Sequence, residues 1–154
     1  MKSKQKGESV VLLCLGDTSL FASSSNILRL IKNNHAEIIT KTIPGISSIS
    51  AAAALNDFDL VKKGETLIIK ECPSSESELT ILISESKANK TVLAITKVGK
   101  RWNLVREILK KEDILSKSLI ALSIGMPDQI VQYAPEYKKN MMPYFSLILI
   151  RFDG

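Results

Sequence analysis

Apolar residues fall along this chain in two patterns: short continuous runs, and longer stripes at helical spacing. Val10 to Leu15 (VVLLCL) is apolar throughout, as in a strand buried on both faces of a sheet. From about Leu20 to Lys32, Leu20, Ile27, Leu28 and Ile31 recur on one side of a helix that Asn33 and Asn34 end. Ala36 to Ile43 predicts a second strand, stopped by Pro44 and Gly45. Ser47 or Ser48 is then placed to cap a helix through Ala51 to Ala54, whose small side chains allow close packing. Strand, helix and strand in this order imply a parallel βαβ crossover.

A polar connection, LNDFDLVKKGE, separates this part from a second set of elements. Thr66 to Lys70 predicts a strand and CPSS a loop. A helix follows from about Ser77 to Ala88, with Leu79, Leu82 and Ile83 on its apolar face. Thr91 to Val98 predicts the next strand, closed by Gly99, and Trp102 to Lys111 a basic amphipathic helix carrying Leu104, Val105, Ile108 and Leu109. Then come a strand over Leu119 to Ile124, the turn Gly125-Met126-Pro127-Asp128, a short strand from Ile130 to Tyr133, and a last strand from Tyr144 to Phe152. Strands without intervening helices at the end predict a mixed sheet with antiparallel members.

Two turns carry candidate chemistry. Gly16 and Asp17 follow a buried strand and precede a helix, the usual ligand-binding corner of an open α/β sheet. Glycine admits a ligand close to the backbone, and the aspartate accepts hydrogen bonds from hydroxyl or amino groups; a plain turn with a helix cap fits the same two residues. The turn after the second strand offers Ser47 and Ser48 hydroxyls and free backbone N–H groups to a polar ligand.

At 154 residues, 45% hydrophobic and 24% charged, the chain has the length and composition of a globular protein with a real core. No apolar run approaches the ~20 residues of a membrane helix, and MKSKQKGES lacks the apolar segment of a signal peptide, so a cytoplasmic location is expected. The net charge of +5 suits an acidic partner, either nucleic acid or a polycarboxylate metabolite, although the lysines are scattered rather than striped. Cys14 and Cys72 have no metal-ligand spacing and need not form a disulfide. With one histidine, His35, the chain has the residues for neither a metal centre nor a Ser/His/Asp triad.

GDTSLF, IPGISSISAAAA, TKVGKRWNLVREIL, IGMPDQIV and MPYFSLILIR, in this order and spacing, resemble the second part of the tetrapyrrole (corrin/porphyrin) methylases. The likeness runs from about Glu8 to the C-terminus and is closest to the precorrin-2 C20-methyltransferase branch; KVGKRW, MPDQ and PYFS are its more specific motifs. The resemblance implies a methyltransferase of cobalamin (vitamin B12) and porphyrin biosynthesis, built of two α/β domains, that uses S-adenosylmethionine and acts on precorrin-2 or cobalt-precorrin-2. By position it assigns Leu15, Gly16, Asp17 and Leu20 to a first cofactor loop, Ser47 and Ser48 to the turn between domains, and Thr96 and Gly125 to the second domain's share of the cofactor site. Lys97, Lys100 and Arg101, with Arg106, are candidates to meet the substrate's carboxylates. The resemblance assigns no catalytic residue and no metal.

This sequence departs from the family pattern at Thr18, where a proline is usual, and at Phe21, where a tyrosine is common; it also has no GxGPGD loop. The expected organisation is therefore partial: residues 1–43 as the remnant of a first α/β domain, 44–56 as an interdomain turn and helix, and 57–154 as a complete second domain with a mixed sheet. Val10 to Leu15 and Ala36 to Ile43 would then have unpaired edges, so abnormal pairing, an exposed sticky surface, a homodimer, or association with a separate N-terminal half is expected. The chain alone is expected to be inactive or very weak. Three other functions fit less of the sequence: a ribosomal RNA methyltransferase of the same fold, a non-catalytic fragment or half of a split enzyme, and a generic nucleotide-binding module. Neither a membrane nor a nucleic acid is an expected partner.

Overall fold

The structure, a computed structural model, describes residues 9–152; the lysine-rich start of the chain up to Glu8 lies outside them. The chain divides into two compact units, Met1–Ser47 and Ser48–Gly154.

In the first unit one helix forms, α1 (Ser24–Asn34). It starts later than its apolar stripe predicts because the preceding residues are committed to turns. Asp17 accepts from the Ser19 and Leu20 backbone N–H groups at 2.6 and 3.2 Å, and Phe21 has a φ of +54°, which a helix cannot use. The two predicted strands do not form. Among the described residues, Val10 to Leu15 and Ala36 to Ile43 have no ladder partner, and their apolar side chains face solvent, with Leu13 88% and Ile39 95% exposed. A continuous apolar run specifies a central strand only when neighbours supply hydrogen bonds on both edges. The exposed surface expected of unpaired segments is therefore what the structure shows.

The second unit begins with α2 (Ser48–Ala54), followed by β1 (Leu67–Glu71), α3 (Glu76–Ala88), β2 (Val92–Thr96), α4 (Trp102–Lys111), β3 (Ser118–Leu122), β4 (Ile130–Tyr133) and β5 (Ser146–Ile150). The sheet order is β1-β2-β5-β3-β4; β1 and β2 are parallel, and every other neighbouring pair is antiparallel. This is the predicted mixed sheet. The last strand inserts at its centre, because β2, β3 and β5 are buried at every position and need partners on both sides.

Alternation decides what each face of the sheet meets. Leu93, Ile95, Ile120, Leu122, Ile148 and Ile150 join Leu79 and Ile83 of α3 and Trp102, Val105, Ile108 and Leu109 of α4 in one core. The opposite face carries Ala94, Ala121 and Leu149, and α2, with Ile49, Ala52 and Ala53 buried, lies against β5. Helix α3 starts one residue before its predicted position, at the cap Ser75, whose hydroxyl accepts from the Glu78 N–H at 3.4 Å in an S-x-x-E arrangement. Three strands stop where the backbone turns left-handed or the ladder ends: β2 before Lys97 (φ +55°), β3 before Ser123 (φ +50°), and β5 at Ile150, paired with Ser118.

Candidate functional site

The first corner lies in the first unit and is built by two turns. Gly16 has a φ of +73° and leads into Asp17, whose carboxylate gathers the backbone N–H groups of Ser19 and Leu20 and the Ser19 hydroxyl. These donors, the Ser19 hydroxyl foremost, hold the Asp17 carboxyl below its ordinary range. Asp17 is therefore both the cap-like turn residue that the sequence allows and a carboxylate kept ionised at an exposed turn. The second turn packs on it. A side chain at Gly45 would collide with the Gly16 carbonyl oxygen and lie 3.7 Å from the Asp17 Cα. Gly45 thus brings the IPG turn against the GD turn, a role beyond the strand breaking that sequence reasoning assigns it. Leu15 is exposed, Leu20 half-buried, and Ser47 closes the unit.

The second corner is the carboxyl edge of the second unit's sheet. Glu71 pairs with Thr96, Thr96 faces Leu147 of β5, and Leu147 faces Ala121 of β3, so the strand ends near Thr96 and Gly125 share one edge with β5 between them. Thr96 is buried; its backbone carbonyl accepts from the Cys72 N–H at 2.8 Å and its hydroxyl donates to the Lys70 carbonyl at 3.5 Å. Gly125 (φ +81°) donates its backbone N–H to the Gln129 Oε1 at 3.1 Å, and the Ser123 hydroxyl donates to Asp128 at 3.2 Å. The MPDQ motif thus fixes its own turn through two side chains.

The four candidate cations for the substrate's carboxylates are in different states. The Lys97 ammonium is 3.0 Å from the Glu71 carboxylate, and Lys100 is exposed in the turn before α4. Arg101 donates from Nη1 to the carbonyls of Cys72, at 2.8 Å, and Pro73. It thereby clamps the loop after β1 to the turn after β2. Burial is the main cause that raises the Cys72 thiol pKa, which leaves a buried, protonated group beneath that clamp. Arg106 stacks over Trp102, 5.9 Å from the ring centroid, and donates to Asn103 and Asn140. Ser48 is the first residue of α2 and is exposed.

Sequence reasoning missed Ser146, whose hydroxyl accepts from the Gly99 N–H at 2.8 Å and joins the start of β5 to the turn after β2. Its place as the last residue of the PYFS motif was the signal that could have found it. A cleft of about 440 Å³ opens at the opposite, amino edge of this sheet, lined by Asp57, Phe58, Asp59, Lys62, Ser116, Lys117, Tyr133 and Arg151. Arg151 there holds the Asp59 carbonyl at 2.7 Å and the Glu65 carboxylate, which ties the end of β5 to the connection before β1.

Residues 1–138 match the model of the tetrapyrrole (corrin/porphyrin) methylases. The chain belongs to this family. It is 28% identical over 145 residues to the cobalamin biosynthesis protein CobIJ of Mycobacterium tuberculosis, covering 94% of this chain and 27% of that one. It is 24% identical over 148 residues to a cobalt-precorrin-2 C(20)-methyltransferase of Salmonella typhimurium, covering 95% and 60%. The chain therefore spans between about a quarter and three fifths of these curated relatives. The fold is that of the X-ray structure of the cobalt precorrin-4 methyltransferase CbiF, with a TM-score of 0.74 at 18% identity over 99% of this chain and 69% of that one. The mixed α/β sheet expected from the sequence is thus the fold of this family.

Proposed function

We propose that this tetrapyrrole methylase chain serves S-adenosylmethionine-dependent C-methylation in cobalamin biosynthesis, at C20 of precorrin-2 or cobalt-precorrin-2. The observation that carries the reading is the match to a C20-methyltransferase along 95% of this chain. The motifs KVGKRW, MPDQ and PYFS support it, all lying at the carboxyl edge of the second unit's sheet. The cofactor contacts of this reading are Leu15, Gly16, Asp17, Leu20 and Ser47 in the first unit and Ser48, Thr96 and Gly125 in the second. The Asp17 corner fits such a ligand: an ionised carboxylate at an exposed turn suits both the hydroxyl and amino donors and the positive sulfonium charge of the cofactor.

When bound, S-adenosylmethionine supplies a methyl group already activated by its sulfonium. The protein's task is then to hold an electron-rich macrocycle carbon in line with that methyl and to exclude water, while a proton leaves the methylated carbon. Lys97, Lys100 and Arg101 are the proposed partners of the substrate's carboxylates. Arg101 acts in part through the loop it clamps.

A second reading is that the chain works only with a complementary chain, by strand addition. The unpaired apolar segments Val10 to Leu15 and Ala36 to Ile43 favour it. One experiment addresses both. The chain is incubated with methyl-¹³C-labelled S-adenosylmethionine and precorrin-2, alone and with the first domain of a C20-methyltransferase, and the product is read by mass and carbon NMR. Label at C20 in either mixture supports C20 methylation, and label only with the added domain supports the second reading. Label at another carbon, or none in both, overturns the C20 assignment.

A further inference from the structure

Two adjacent aromatic rings of the second unit stand exposed. Tyr144 and Phe145 are 68% and 52% exposed and meet edge to face, their centroids 5.2 Å apart. They immediately precede β5, the central strand, so they stand at the middle of the carboxyl edge, between the strand ends that carry Thr96 and Gly125. Their backbone is pinned. The Phe145 carbonyl accepts from the Ser123 N–H at 2.8 Å and the Tyr144 carbonyl from the Ser146 N–H at 3.0 Å, while Ser146 in turn holds Gly99. Met141, also exposed, continues the apolar surface. Large aromatics held out to solvent by an ordered backbone mark a ligand surface more often than a packing defect.

The charge around them selects the ligand. The two segments that meet at this edge, residues 97–102 and 139–146, contain Lys97, Lys100, Arg101 and Lys139 and no acid, while Asp128 on the turn after β3 accepts from the Ser123 hydroxyl. They are fastened to each other: the Trp102 indole N–H donates to the Lys139 carbonyl at 3.0 Å and the Met142 N–H to the Gly99 carbonyl at 3.2 Å. Glu71 offsets Lys97, whereas Lys100 and Lys139 remain exposed cations. A flat conjugated ring bearing carboxylates is attracted to such a rim.

We infer that Tyr144 and Phe145 form the stacking surface for the tetrapyrrole ring, with Lys100 and Lys139 meeting its carboxylates. The inference rests on the tetrapyrrole substrate proposed above and assigns the residues that hold it. The test is titration of an octacarboxylic porphyrin into the full chain, followed by the shift of its absorption band. S-adenosylhomocysteine is titrated in parallel by calorimetry. Replacing both rings (Tyr144→Ala with Phe145→Ala) weakens porphyrin binding tenfold or more and leaves S-adenosylhomocysteine affinity and melting temperature unchanged. Should the double variant unfold, Tyr144→Ala alone, at the more exposed ring, still gives a loss of threefold or more. Lys100→Gln with Lys139→Gln lowers the affinity and flattens its dependence on salt. Unchanged porphyrin affinity in a folded ring variant overturns the aromatic surface while leaving the tetrapyrrole reading intact. Loss of S-adenosylhomocysteine instead of porphyrin assigns the rings to the cofactor and also overturns the inference. A wild-type chain that takes up no porphyrin sinks both.

Discussion

Single residues carry the packing of each corner. Gly45→Ala drives a methyl group into the Gly16 carbonyl, and the GD turn has to move to admit it. S-adenosylhomocysteine affinity, read by calorimetry, is expected to fall about tenfold, or roughly 1.4 kcal/mol. Trp102 is fully buried, meets Tyr137 edge to face at 6.0 Å, and donates to the Lys139 carbonyl. Trp102→Ala should cost about 3–5 kcal/mol in denaturant unfolding. Trp102→Phe should cost less, about 1–3 kcal/mol, because it keeps a ring but strands that carbonyl. Glu65 adds a pH effect. The Lys62 backbone N–H, and after it the Arg151 guanidinium, hold its pKa below the ordinary 4.5. A carboxyl lowered in the folded state gives stability that is present above the unfolded pKa and lost as pH falls through the folded one. Melting temperature should therefore drop on acidification below about pH 4.5, and Glu65→Gln should flatten that part of the profile. An unchanged slope in the variant would remove Glu65 from the account.

Among elements, Arg101 is the joint between β1 and α4. Arg101→Ala frees the Cys72 and Pro73 carbonyls, with an expected loss of about 1–3 kcal/mol and faster amide exchange confined to the loop after β1. Exchange that rises equally across the sheet would mean that the clamp is not local. How far elements were legible in the sequence depended on whether the chain itself completes them. Trp102 to Lys111 and Ile130 to Tyr133 form as their patterns predict, since an amphipathic helix and a hairpin partner find their contacts nearby. The apolar runs that became β2 and β3 were readable because β5 reaches them through antiparallel pairing. Val10 to Leu15 has the same pattern and stays unpaired, because pattern reports a wish to be buried and not the presence of a neighbour. The GD and MPDQ turns were visible as motifs. The Gly45 approach, the Arg101 clamp and the Ser146 link were not, because each joins residues distant in sequence through a backbone group that every residue carries.

For the whole molecule, the two units differ in how they are held. The second has a five-stranded sheet whose central strands β2, β5 and β3 are buried at every position, a helix α3 capped by Ser75, and cross-links such as the contact of Arg151 with Asp59 and Glu65, all formed within Ser48–Gly154. Among its described residues the first has a single helix and leaves Val10, Val11, Leu13, Leu15, Ile39 and Ile43 largely in water. Fully burying one such side chain yields about 1.5–3 kcal/mol, so together they represent a strong drive to associate. Residues 48–154 expressed alone should therefore unfold in one cooperative transition close to that of the whole chain and stay monomeric on concentration. The whole chain should bind a hydrophobic dye and grow in light-scattering mass as its concentration rises. Leu13→Lys with Ile39→Lys, which removes two of the most exposed apolar groups, should suppress both effects without moving the melting temperature of the sheet. A whole chain that scatters as a monomer at every concentration and binds no dye would show that these segments find internal cover. Strand addition by a partner would then have no vacant edge to use.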